Sequence, residues 1–443
     1  MAKELTKQQQ ITGWVVFDWA NSAYNLVIVS TVFPGIFKYF LKDGVEFMGI
    51  YFKSPDALYT YALCFSYLII SIMTPILSGI ADFGGYKKRY MQFFSTIGSL
   101  ACISLYFFDK SHVWIGVFGA IIASIGFGGS LVFYNGFLSE LVPKRLHDKV
   151  SAKGFSYGYL GSSILLIVIL VLTNLKSLFG VEETTTILRF GFVLVGVWWF
   201  GWARWTFSVL PRGKKSNLPK TVLAKKGFQE LKNVWGQIKE LPRLKRFLSA
   251  FFIVDLGVQT IVIIAPLFAI NVFKMKSDEL TLIVLIMQFL GIAGAAVFSR
   301  MSKKHGNVFG LKGATLVYLL LCAIACVANQ KWMVYLIAGL IGFAMGGIQS
   351  LFRSTYSKLL PKTKDHASFF SFFDITEKVA IVTGTFIYAS VEVIASGMQS
   401  GFAERLGVAT LALFFFGGLL LLRRLSKFKS LEPTVEDIEL IDG

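Results

Sequence analysis

Apolar runs recur along the whole chain, each broken by a short stretch of charged, glycine or proline positions. Twelve can be marked, at 13–40, 58–81, 90–108, 113–140, 155–175, 188–210, 245–273, 279–301, 311–329, 332–357, 368–394 and 405–425. Each is near the length a helix needs to cross a bilayer, so the pattern predicts twelve membrane helices. An even number puts both chain ends on one side. The polar breaks decide which side: alternate breaks, with the two ends, hold about 31 of the Lys and Arg against about 10 in the opposite set, and the rich side is expected to be cytoplasmic. The longest break, 211–244, divides the runs six and six. It is basic and carries Val222, Leu223, Phe228, Leu231, Val234, Trp235, Ile238 and Leu241 at near-helical spacing. That pattern fits an amphipathic helix on the inner leaflet, with a solvated linker as the plain alternative. The expected organisation is an N-terminal bundle over 1–210, the linker 211–244, a C-terminal bundle over 245–425 and a cytoplasmic tail, 426–443. The tail is acidic after Ser430 and is expected to be disordered.

The two halves share more than a count. Gly128–Lys144, GGSLVFYNGFLSELVPK, recurs as Gly346–Lys362, GGIQSLFRSTYSKLLPK. One offset of 218 places Gly128 on Gly346, Ser139 on Ser357, Pro143 on Pro361 and Lys144 on Lys362. Each copy is an apolar helix with a small-residue face, leaving the membrane into a proline and a basic loop. A membrane helix repeated at half the chain length is the parallel-repeat signature of one large class of secondary transporter.

Composition agrees. The 443 residues are 55% hydrophobic with mean hydropathy +0.63 and 43 Phe, more apolar than a soluble globular chain. The net charge of +18 lies in alternate loops, so it reports topology and not a nucleic-acid partner. Cys64, Cys102, Cys322 and Cys326 fall inside apolar runs, and no disulfide framework is expected. His112, His147, His305 and His366 lie in loops without ligand spacing, so neither a metal site nor a cofactor is expected. The first apolar run is long and lacks a small-residue cleavage site, so it is expected to stay as a helix. Outer loops are short and contain no Asn-x-Ser/Thr, and a bacterial inner membrane is the simplest setting.

Within the spans stand Asp18, Asp255, Arg353, Asp374, Glu377 and Lys378. A charge facing lipid costs several kcal/mol, so these groups should face a cavity or one another. Asp18 and Asn21 share a helix face at i, i+3, with Ser22 and Asn25 close by; Asp255 and Gln259 repeat the arrangement at i, i+4 on span seven. Such acids can take a proton or hold a cationic group. Arg353, with its planar fork, and Lys378 are the candidate carboxylate partners, and Gln349 lies one turn from Arg353. Structural readings stand beside these: Asp374 pairing with Lys378 at i, i+4, Asp18 as a packing or gate residue, Arg353 bridging to Asp18 or Asp374, and the tryptophans as packing anchors. Gly342 and Gly346 form a small-xxx-small pair suited to close helix contact.

The loop Ser78-Gly-Ile-Ala-Asp-Phe-Gly-Gly-Tyr-Lys-Lys-Arg89 resembles the G-x-L-A-D-x-x-G-R-K signature of the major facilitator superfamily, with Asp82, Gly85 and Lys87 in register. The resemblance implies that these three belong to a cytoplasmic gate, with Asp82 accepting from a helix N-terminus of the other half. Asp18-Trp-Ala-Asn-Ser22 resembles the opening of the superfamily's vacuolar-effluxer-like branch, named for fungal vacuolar amino-acid exporters linked to autophagy. Val132-Phe-Tyr-Asn135, Trp198-Trp199, Asp255-Leu-Gly-Val-Gln-Thr260, Gly347-Ile-Gln-Ser350 with Arg353, and Phe373-Asp-Ile-Thr-Glu-Lys378 resemble later spans of that branch. At the Glu377 position the branch usually has a small residue. The resemblance implies an all-α membrane protein of twelve helices in two pseudo-symmetric bundles. It implies a monomeric, non-enzymatic transporter that moves a small polar solute, an amino acid or another metabolite or drug-like compound, by proton-coupled export. A membrane enzyme would need clustered His, Asp or Cys at a membrane face, and a sensor would usually carry a soluble domain; neither is present in the sequence.

Overall fold

The computed structural model describes residues 6–213, 220–395 and 402–426, and these are almost entirely helical. The acidic tail and residues 214–219 of the central connection lie outside the described residues. The first run begins as α1 (Lys7–Ala23), continues through a π-helical stretch (Tyr24–Thr31) and ends as α2 (Val32–Phe40). Thr6 starts it with a capping box: its hydroxyl accepts from the Gln9 amide while the Gln9 side chain accepts from the Thr6 amide. A small hairpin follows between the first two apolar runs, β1 (Val45–Phe47) paired with β2 (Ile50–Phe52). Its turn puts Met48 and Gly49 at φ 52 and 78, the left-handed pair that a two-residue hairpin demands.

Next come α3 (Pro55–Gly84), α4 (Lys87–Ser104), α5 (Val113–Leu141), α6 (His147–Asn174) and α7 (Thr184–Val209). The central connection carries α8 (Lys220–Glu240), and the second half follows as α9 (Pro242–Phe273), α10 (Ser277–His305), α11 (Asn307–Val327), α12 (Lys331–Leu359), α13 (His366–Ile394) and α14 (Phe402–Ser426). Eleven helical stretches among the described residues are long and apolar enough to cross a membrane, the first being the continuous Lys7–Phe40. The remaining one of the twelve expected, α13, has the length but carries Asp374, Glu377 and Lys378. Both chain-long proline interruptions, Pro75 in α3 and Pro266 in α9, sit inside helices that continue past them, as membrane helices tolerate when neighbours re-satisfy the freed carbonyl.

Two compact units result. Unit 1 gathers Met1–Phe137, Tyr157–Lys232 and Asp365–Ser371; unit 2 gathers Leu138–Ser156, Asn233–Lys364 and Phe372–Gly443. In unit 1, α7 packs on α1 and α4, and the buried interior is aromatic: Trp14, Phe17, Tyr24, Phe94, Phe133, Tyr134 and Trp199. In unit 2, α10 packs on α12, α11 on α12 and α14, and α14 on α9. There Phe251 stacks on Phe373 with centroids 4.2 Å apart, and Tyr356 leans on Phe373 at 4.9 Å. The close α10–α12 approach explains the small-residue spacing: a Cβ on Gly342 would overlap the backbone of Met287, and one on Gly346 that of Gly291. The repeat partners Ser139 and Ser357, 218 residues apart, meet within unit 2 at 2.7 Å between hydroxyl oxygens.

The central connection is helical over α8. Val234 and Ile238 are buried, and Trp235 stacks on Phe372 at 5.4 Å. Its earlier turns dock on protein, since a Cβ on Gly227 would come within 2.7 Å of the Ile80 amide nitrogen.

Candidate functional site: buried charges inside membrane helices

In unit 1 the polar face of α1 turns inward. Asp18 is 5% exposed and its Oδ2 accepts from the Tyr134 hydroxyl at 2.7 Å. Tyr134 is itself fixed from two sides. Trp14 stacks on it with centroids 4.5 Å apart and donates Nε1–H to its carbonyl at 2.8 Å, and Phe17 leans on it at 5.0 Å. Asn21 is buried one turn on, with its Nδ2 unpartnered. Asn25 lies exposed at the start of the π-helical stretch. There Ser30 and Thr31 donate to the carbonyls of Asn25 and Leu26, five residues back, which the wide turn brings into reach. The tryptophans pack together: Trp19 stacks on Trp198 at 5.3 Å and accepts from its Nε1–H at the backbone carbonyl, while Trp199 is fully buried.

At another end of unit 1, Gly85 closes α3 in the left-handed conformation at φ 70, a position that suits glycine. Asp82, one turn earlier, receives the amide of Ser368 at 2.7 Å, the Ser368 hydroxyl at 2.9 Å and the Ala367 amide at 3.3 Å. These are free amides of the first turn of α13, where the helix dipole favours an anion. Lys87 pairs with the same carboxylate at 3.0 Å.

Unit 2 holds a buried acid of its own near a helix start. Asp148, in the first turn of α6, pairs with Lys358 at 2.6 Å and accepts from Asn307 Nδ2 at 2.7 Å and from the Ser302 hydroxyl. Asn307 also accepts from Lys358 at 2.9 Å and donates to Thr355 at 2.9 Å. One turn further along α6, Ser151 accepts at its hydroxyl from Arg353 Nε and at its carbonyl from Arg353 Nη2, each at 2.9 Å. The guanidinium lies 4.1 Å from the Phe155 ring centroid, a cation–π distance. Arg353 is thus engaged by α6, while Gln349, one turn before it on α12, is half-buried.

Deeper along α9, Gln259 Nε2 donates to Asp255 Oδ1 at 3.2 Å and to Glu377 Oε1 at 3.3 Å. Lys378 lies 3.5 Å from the other Glu377 oxygen and 3.3 Å from Asp374 Oδ1. Five side chains therefore form one chain: Asp255, Gln259, Glu377, Lys378 and Asp374. The Oδ2 atoms of Asp255 and Asp374 are buried without a partner. Close packing holds α13 against α9 here, since a Cβ on Gly384 would overlap the Thr260 hydroxyl.

The structure thus brings Asp255, Gln259, Asp374 and Lys378 together and adds Glu377. It gives Asp18 the partner Tyr134 and Arg353 the partner Ser151. Sequence reasoning missed the roles of Tyr134, Asp148, Ser302, Asn307 and Lys358. Tyr134 did stand inside a motif, and Asp148 stood at a helix start, but their partners lie between 51 and 210 residues away in several of these bonds.

A family profile described as "Vacuole effluxer Atg22 like" matches residues 6–426. The chain is 28% identical over 395 residues to the MFS-type transporter YxiO of Bacillus subtilis, covering 88% of this chain and 89% of that one. It is 25% identical to autophagy-related protein 22-1 of Penicillium rubens, covering 79% and 73%. Among solved structures, the human organic anion transporter MFSD10 (TETRAN) superposes with TM-score 0.70 at 13% identity, covering 94% of this chain and 99% of that one. FucP in the outward conformation superposes with TM-score 0.67 at 13% identity, covering 95% and 98%. Those two show the fold, which is the two-bundle fold of the major facilitator superfamily. With nearly its whole length matched, a motif-bearing first helix and that fold, the chain belongs to the Atg22-like vacuole effluxer family of multi-pass major facilitator transporters.

Proposed function

We propose that this transporter moves a small amino acid or similar zwitterion by alternating access, as proton-coupled export from a bacterial cytoplasm across the inner membrane. In this reading it works as a monomer with both chain ends in the cytoplasm. The observation that carries the proposal is the buried chain Asp255–Gln259–Glu377–Lys378–Asp374, which sets acids beside a base inside helices otherwise fit for lipid. Ionisable groups at that depth are retained for a ligand or an ion path. An ammonium and a carboxylate on one solute call for one acid and one base. Asp18, Asn21, Asn25, Gln349 and Arg353 complete the polar inventory for the solute. Asp82, Gly85 and Lys87 serve as a cytoplasmic gate, with Asp82 capping α13 in the closed state.

A second reading, export of a small organic cation, is favoured by the same cluster, because three carboxylates face one ammonium there. Counterflow of radiolabelled amino acids in proteoliposomes separates the two. Amino-acid exchange that drops about tenfold in Asp255→Asn, equivalent to about 1.4 kcal/mol, supports the zwitterion. Exchange of cations alone supports the second reading, and no exchange of any solute class removes both.

A further inference from the structure

We propose that Asp255 and Glu377 form a proton-binding site inside unit 2, with Gln259 as the bridge between them and Lys378 as the counter-charge of Asp374. This rests on the transport reading and says where its coupling ion binds.

The argument begins with charge. Lys378 reaches Asp374 at 3.3 Å and Glu377 at 3.5 Å, and among the described residues no second base pairs with these acids. Asp255 and Asp374 are 3% and 5% exposed. With Lys378 set against Asp374, the surplus negative charges fall on Asp255 and the partly exposed Glu377, and the buried one on Asp255 is costly unless neutralised. The other charges on helices packed against α9 are occupied elsewhere or lie at helix ends. On α12, Arg353 binds Ser151, Lys358 binds Asp148 and Lys331 binds Glu279. On α14, Arg405 donates to the carbonyls of Cys326 and Ala328, Glu404 is in the first turn and Arg423 and Arg424 are in the last.

Geometry then selects the ion. No group of three His, Cys, Asp or Glu among the described residues is arranged to hold a metal ion. Asp255 and Glu377 instead share one amide donor, which spaces two carboxylates around a nitrogen. Asp255 Oδ2 is buried and unpartnered while Oδ1 already accepts from Gln259. A proton added to Oδ2 therefore neutralises the acid and leaves the Gln259 bond intact. Glu377, with a side chain 29% exposed, is the open end of the pair, and the proton enters there and passes inward to Asp255. The proton leaves to water on the opposite side after the helices rearrange, and nothing else is consumed.

The test is infrared difference spectroscopy of the full chain in lipid bilayers across a pH titration. The expected result is a carbonyl-stretch band of a protonated carboxylic acid that titrates. Its amplitude should fall by half or more in Asp255→Asn and in Glu377→Gln, and stay in Asp18→Asn. Glu377→Gln lies at the more exposed end of the chain and serves if Asp255→Asn does not fold. No titrating band, a band unchanged in both variants, or a midpoint moved by sodium at fixed pH would overturn the site. Counterflow intact in wild type without the band refutes the proton site alone. The band without any solute exchange leaves the site standing and refutes the transport reading.

Discussion

Asp18 in unit 1 meets the hydroxyl of Tyr134, a neutral donor locked in place by Trp14, whereas Asp255 in unit 2 begins a chain of polar groups that ends at Asp374. The second acid of each unit differs in the same direction. Asp82 sits on a helix N-terminus beside Lys87, while Asp148 is tied into a network with Lys358, Asn307 and Ser302. Acids on corresponding first helices of the two halves have been given different company. An acid that accepts from a fixed hydroxyl is a positioned acceptor. An acid that shares a donor with another acid sits in a field of like charge.

That contrast can be broken most forcefully at Lys378. Lys378→Met strips the base from a buried group of acids and should lower unfolding stability in detergent by about 3–5 kcal/mol, the usual loss when one member of a buried pair is removed. A shift indistinguishable from wild type in a denaturant or thermal melt would show that the cluster is already neutral. Lys358→Met should cost less, about 3 kcal/mol, because Asp148 keeps Asn307 and Ser302 as donors. The same melts measure it, and a larger loss than at Lys378 would invert the ranking. Tyr134→Phe removes one hydrogen bond to a buried carboxylate and should lower stability by about 1.5–2 kcal/mol, with the aromatic packing on Trp14 retained. If Tyr134→Phe instead proves neutral, Asp18 is not held as a fixed acceptor. Ser368→Ala should have the smallest effect on stability, about 1 kcal/mol, because Asp82 keeps the amides of Ser368 and Ala367 and the Lys87 ammonium when the Ser368 hydroxyl is lost. Its expected signature is faster labelling of a cysteine placed near the start of α13, read by mass spectrometry.

The spans were legible because membrane helices advertise themselves by composition: a run such as Val113–Leu141 contains little that could be anything else. α13 was legible for the same reason despite four charges, since Val379–Ile394 is apolar apart from Glu392 and a few small polar residues. The π-helical stretch was not, because Tyr24-Asn-Leu-Val-Ile-Val-Ser-Thr31 reads identically for either hydrogen-bond spacing. The hairpin was hidden by a Met in the turn position where Asn or Asp is usual. For the site, local spacing revealed Asp255 with Gln259 and Asp374 with Lys378, each a single helical turn apart. It could not reveal that Glu377 closes the gap between those pairs, because that depends on α13 lying against α9, 118 residues away. Arg353 shows the limit of reading charge alone. The base itself was plain in the last quarter of α12, but not that its guanidinium meets a serine and a ring on α6.

The stretch Tyr24–Thr31 has a mechanical consequence. A helix with i+5 bonding carries slack relative to one with i+4 bonding, and each residue of slack corresponds to about 100° of turn about the axis. Tightening that segment by one residue would swivel Val32–Phe40 by about that angle against α1 while leaving Asp18 anchored to Tyr134. The first membrane crossing is therefore built as two rods joined by a bearing, with its fixed end at the acid.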